Sequence, residues 1–84
     1  MKVTLVGFKS LDFTSNEGNQ VKGVKLFYAY PDADVSGNAT DDVFLAQNVF
    51  DSFGVSMEQL NDSVDCIIEL EFGKRGKVVG LKVA

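Results

Sequence analysis

The alternation of apolar and polar residues is sharpest in "VDCIIELEF", residues 64–72. Val64, Cys66, Ile68, Leu70 and Phe72 fall on one side of a period of two, with Asp65, Glu69 and Glu71 on the other. This pattern predicts a half-buried strand whose inward face includes Cys66. Residues 78–83 repeat it with Val79, Leu81 and Val83 apolar and Lys82 opposite, so the two runs read as a hairpin. Apolar positions face one another if Leu70 lies opposite Val79, Ile68 opposite Leu81 and Cys66 opposite Val83. The loop is then the four residues "GKRG", 73–76. A three-residue loop with Gly76 left-handed is the alternative, and it sacrifices the apolar match.

Upstream, "VTLVGFKSLDF" and "VKGVKLFYAY" read as two further strands around the polar turn segment "TSNEGNQ". In the second strand Val24, Leu26 and Tyr28 are assigned to the core, which puts Phe27 beside Lys25 on the outer face. Pro31 ends that strand, and "DADVSGNATDD" has the composition of a loop. "VFLAQ" reads as the third strand in chain order, followed by a short helix. The competing reading is a helix capped by Thr40, with Leu45, Val49 and Phe53 stacked and Gly54 ending it. In "SMEQLND", Ser56 followed three residues later by Gln59 is a capping-box pattern, which predicts a helical turn near residues 57–61.

This order of elements is that of a mainly β protein: a small five-stranded Greek-key barrel of the OB-fold type, with a short helix between strands 3 and 4. An SH3-like barrel is the structural competitor. The 84 residues make one domain with a modest core. The opening "MKVTLVGF" lacks a cleavage-site pattern and no apolar run approaches a bilayer span, so a cytoplasmic protein is expected.

Charge changes the picture by its distribution. The net charge is −4, but residues 1–31 carry Lys2, Lys9, Lys22 and Lys25 against Asp12 and Glu17. Residues 32–71 hold ten acids and no base, and residues 72–84 hold Lys74, Arg75, Lys77 and Lys82 with no acid. Basic ends around an acidic middle give a two-sided electrostatic surface if the ends meet in space, and otherwise charges scattered over solvated faces.

The opening "GFKSLDFTSNEGNQVKGVKLFYAY", the acidic middle and the ending "LNDSVDCIIELEFGKRGKVVGL" resemble the small single-stranded-DNA-binding proteins of phages, plasmids and conjugative elements. The resemblance spans most of the chain. It rests on a DFT-type strand end, a lysine-glycine entry to the second strand and a strand-turn-strand ending in G-K-V. It implies an OB-type barrel that coats single strands without sequence preference and pairs with a second copy.

Independently of that resemblance, single-strand binding needs cations that follow the phosphates and exposed aromatic rings on which bases stack. In an OB barrel the loops joining strands 1 to 2 and 4 to 5 flank the binding face. Lys22, Lys25 and Phe27 would then lie near Lys74, Arg75 and Lys77, with Phe44 as a second stacking platform. Phe27 and Phe44 can equally be core residues of a small barrel, whereas Phe8 and Phe13 read as core. Stacking and phosphate contacts do not separate DNA from RNA.

Other chemistry is weakly signalled. Residues 32–38 match the opening of an EF-hand loop through Asp32, Asp34, Ser36 and Gly37, but Val43 stands where a bidentate glutamate completes the coordination. Asp41 and Asp42 are the acids an irregular calcium site would have to use, and no metal is expected. The chain has no histidine and one cysteine, and Glu69 and Glu71 share a face with no base to partner them. No enzyme activity and no cofactor are therefore expected. Two classes of function remain: a single-stranded nucleic-acid-binding protein, or a protein-interaction barrel that uses an edge strand or its acidic face.

Overall fold

The computed structural model describes residues 1–83. The chain is mainly β, with five antiparallel strands in one sheet: β1 (Lys2–Thr14), β2 (Gln20–Pro31), β3 (Asn38–Ala46), β4 (Ile67–Phe72) and β5 (Val78–Lys82). Two short helices, α1 (Gln47–Ser52) and α2 (Met57–Asp62), connect β3 to β4. The sheet order is β3-β2-β1-β4-β5, so β3 and β5 are its edges, and among the described residues no ladder between them closes a barrel. Among the described residues no helix is long and apolar enough to cross a membrane.

The core follows the alternation in β2. Val24, Leu26 and Tyr28 are buried, and they meet Leu5 of β1, Leu45 of β3 and Ile68 and Leu70 of β4. Each such large aliphatic side chain contributes about 1.5–3 kcal/mol on leaving water. Phe50 of α1 and Leu60 of α2 are buried in the same cluster, so the β3–β4 connection is packed against the sheet. Residues 43–53 are strand and then short helix, with Gly54 closing α1 in a left-handed conformation. Ser56 and Gln59 form the capping box at the start of α2: the Gln59 backbone N–H donates to Ser56 Oγ at 3.1 Å, and Ser56 N–H donates to Gln59 Oε1 at 2.9 Å.

Three local expectations are corrected. Residues 38–42, read as the end of a loop, are the first half of β3 and pair with residues 27–31 of β2. Because positions 38–43 are extended, they do not wrap back as the second half of an EF-hand loop would. Cys66 is exposed instead of inward, because β4 begins one residue later, after a turn in which Asp65 is left-handed at φ 68°. The β4–β5 register places Leu70 opposite Leu81, not Val79, with an irregularity between Glu71 and Phe72.

The loop supplies one residue of that shift, and the unpaired Val79 supplies the other. Residues 73–77 close through Gly73 N–H donating to the Lys77 carbonyl at 2.7 Å, around a 3-10 turn (Lys74–Gly76) in which Arg75 and Gly76 are both left-handed. This five-residue closure makes Val78 and Leu81 the buried positions and leaves Val79 59% exposed.

Candidate nucleic-acid interface

The outer face of β1, β2 and β3 collects the aromatic and basic side chains. Phe27 and Lys25 lie two residues apart on β2, opposite in pleat to the buried Val24, Leu26 and Tyr28. The register puts Phe44 of β3 directly opposite Lys25, and Asp42 directly opposite Phe27. Residues directly opposite in an antiparallel pair share a face, so Phe44 joins Phe27 and Lys25 on the outside, where it is 42% exposed. Both rings are therefore outside the core.

A β-bulge at Val6 extends this face onto β1. The register slips between Leu5 and Gly7, so Leu5 faces inward with Tyr28 while Gly7 faces outward with Phe27. Beyond the bulge the odd positions point out: Lys9 opposite Lys25, Leu11 opposite Gly23 and Phe13 opposite Val21. Phe13, read from the sequence as core, is thus 50% exposed on the same face as Phe27 and Phe44. Its parity matches that of the buried Val3 and Leu5, and only the bulge inverts it. Lys9 and Phe13 are the residues that sequence reasoning missed. Phe8, by contrast, packs against the core as expected.

The electrostatics of this face are local. Lys9 and Lys25 are a like-charged cross-strand pair, an arrangement that costs stability unless an anion sits between them. Lys25 Nζ lies 5.6 Å from the Phe27 ring centroid and 3.8 Å from Asp42 Oδ2. One lysine thus covers the ring and meets a carboxylate at once. Beneath the sheet, burial and then the nearby Asp41, Tyr30 and Asp42 push the Tyr28 phenol above its ordinary value.

The other expected residues divide. Lys77 lines a cavity with Phe44 and residues 43, 45 and 46 of β3, so the β4–β5 loop does approach the β3 side of the aromatic face. Lys74 and Arg75 are exposed at the tip of that loop. Lys22 pairs with Asp12 on the opposite pleat from Lys25 and Phe27, and so is not brought together with them.

Beyond the core the β1–β2 hairpin continues as an arm, closed at residues 15–19 by Ser15 N–H donating to the Asn19 carbonyl at 2.7 Å. Gln20 Nε2 donates to Asp12 Oδ1 at 2.9 Å across it. The arm carries Phe13, and the molecule is elongated, with extents of 42 × 26 × 23 Å.

Compared with family models, curated proteins and solved structures, the chain matches none of them.

Proposed function

We propose that this chain is a non-catalytic protein that binds single-stranded nucleic acid, DNA foremost, along the outer face of β1–β3. The observation that carries the reading is the placement of Phe13, Phe27 and Phe44 on one face of the sheet, Phe13 and Phe44 exposed and Phe27 half-buried beneath Lys25, with Lys9 and Lys25 between them. Solvent-exposed rings on a sheet face serve as flat platforms for bases, each stack worth about 1–3 kcal/mol. The two lysines supply charge for the intervening phosphates, and a phosphate between them would relieve their mutual repulsion. Phe13 and Phe27 are aligned with β2 positions six residues apart, a spacing of about 20 Å. That span suits several unstacked nucleotides.

The sheet order supports an OB-type arrangement opened at the β3–β5 seam. Residues 43–46 and 76–78 line one cavity there, which brings the two edges together without a ladder between them. In this reading α1 and α2 cover one end of the sheet, and Lys77 borders the Phe44 end of the binding face.

The test is titration of a fluorescein-labelled oligo-dT of about 12 nucleotides at low salt. Binding should weaken as salt rises, with a log–log slope of about −0.7 for each phosphate neutralised. Absence of binding at low ionic strength would end the proposal. It would favour the second reading, a protein-interaction module, which draws on the exposed Ile67 and Val79 of β4 and the β5 edge.

A further inference from the structure

Phe27 is flanked asymmetrically. On the β1 side its cross-strand neighbour is Gly7, where a side chain would meet nothing within 4 Å, and the bulge turns Val6 out to 52% exposure. On the β3 side its neighbour is Asp42. Val6, Phe27, Tyr28, Thr40, Asp41 and Asp42 line an open cavity of about 440 Å³, ample for a nucleobase lying against the Phe27 ring, and of the two carboxylates it is Asp42 that shares the face of that ring. An aromatic wall with a carboxylate at its edge is a more selective environment than a bare stacking platform.

In the free protein the Asp42 carboxylate faces Lys25, whose ammonium also covers Phe27. A bound single strand changes both contacts, because its phosphates compete for Lys25 and a base competes for the ring. Asp42 is then an anion beside a polyanion, without its counter-ion. A carboxylate only accepts hydrogen bonds, so the base on Phe27 compensates it only by presenting donors. Cytosine and adenine carry an exocyclic amino group, and guanine carries an amino group beside a ring N–H. Thymine and uracil offer one ring N–H flanked by two carbonyl oxygens, and those oxygens repel the carboxylate.

We propose that Asp42 makes the Phe27 position selective for an amino-bearing base over thymine or uracil. The inference rests on the single-strand-binding reading above. It adds a base preference at one end of a track that is otherwise indifferent to sequence.

Affinities of oligo-dC and oligo-dT of equal length, measured at slightly alkaline pH where cytosine is neutral, test it in the wild-type protein, D42N and F27A. The wild type should bind oligo-dC about threefold to tenfold more tightly than oligo-dT. D42N should tighten oligo-dT binding and bring the ratio near one, since an amide both donates and accepts. F27A should weaken both oligomers. Asp42 is exposed, and an unchanged amide-proton spectrum would show that D42N keeps the fold. Equal wild-type affinities, or a cytosine preference that persists in D42N, would overturn the inference and leave the binding reading intact. Failure of the wild type to bind either oligomer would overturn both.

Discussion

The Phe44 ring lies across Gly23. A Cβ placed on Gly23 would stand 2.7 Å from Phe44 Cζ and 2.1 Å from the Leu45 carbonyl oxygen, both closer than real Cβ contacts. The missing side chain lets β3 approach β2 and lets the ring lie over the sheet. Gly23→Ala should therefore destabilise the protein by about 1–3 kcal/mol in chemical denaturation, through displacement of β3. It should also weaken single-strand binding, because Phe44 loses its place. A Gly23→Ala protein of unchanged stability would show that this contact does not set the β2–β3 approach.

Phe13 separates stacking from folding. Its ring is half exposed on an arm outside the core, so Phe13→Ala should change stability by no more than about 0.5 kcal/mol. Its affinity for an oligomer long enough to reach the arm should fall by about 1–3 kcal/mol. An oligomer too short to span from Phe27 to Phe13 should not register the change. Paired titrations with long and short oligo-dT check both statements.

The legibility of this chain depends on whether a period of two runs without interruption. In β2 it does, and the sequence places Val24, Leu26 and Tyr28 inside and Phe27 with Lys25 outside, as found. The capping box of Ser56 and Gln59 is equally legible, because it is a local exchange of hydrogen bonds set by spacing alone. The Val6 bulge is not. It adds one residue to β1 without a glycine or proline at that position, and every side chain beyond it changes face. Phe13, which reads as core in the sequence, lies on the outer face for that reason. The β4–β5 register fails for a related reason: the turn places its left-handed residues at Arg75 and Gly76, the loop takes one residue more than expected, and the irregularity between Glu71 and Phe72 leaves Val79 unpaired, so the pairing shifts by two in all. Apolar matching alone also selects the wrong partner where either of two valines, 78 or 79, can turn inward.

The β4–β5 loop allows backbone and charge to be tested apart. Arg75 sits at φ 67°, a conformation that costs most residues about 1–2 kcal/mol and that asparagine tolerates better. Arg75→Asn should leave thermal stability unchanged or raise it by up to about 1 kcal/mol. Lys74→Glu combined with Arg75→Glu should weaken single-strand binding while the circular dichroism spectrum stays native, because both side chains are exposed. Loss of folding in the double variant would contradict the placement of these residues at a solvated tip.

Tyr28 gives a pH dependence of stability. Its ordinary value is 10.0, and burial followed by Asp41, Tyr30 and Asp42 raises it in the folded protein. The unfolded chain therefore loses this proton first as pH climbs. The stabilising contribution is fully present below pH 10.0 and is lost as pH rises through the folded value. Melting temperature followed across this range should fall less steeply in Tyr28→Phe than in the wild type. The two proteins differ only in this hydroxyl, so the difference between the two curves isolates the phenol. Parallel curves would contradict the assignment.

The central claim is that bases stack on the β1–β3 outer face. It is tested most directly by two-dimensional NMR of the protein titrated with a single-stranded oligo-dC long enough to span from Phe27 to Phe13. The account predicts that the ring resonances of Phe27, Phe44 and Phe13 shift together with the amides of Lys9 and Lys25, and that added salt reverses the shifts. Shifts confined to β4 and β5, or no shifts at low salt with the fold intact, would contradict it.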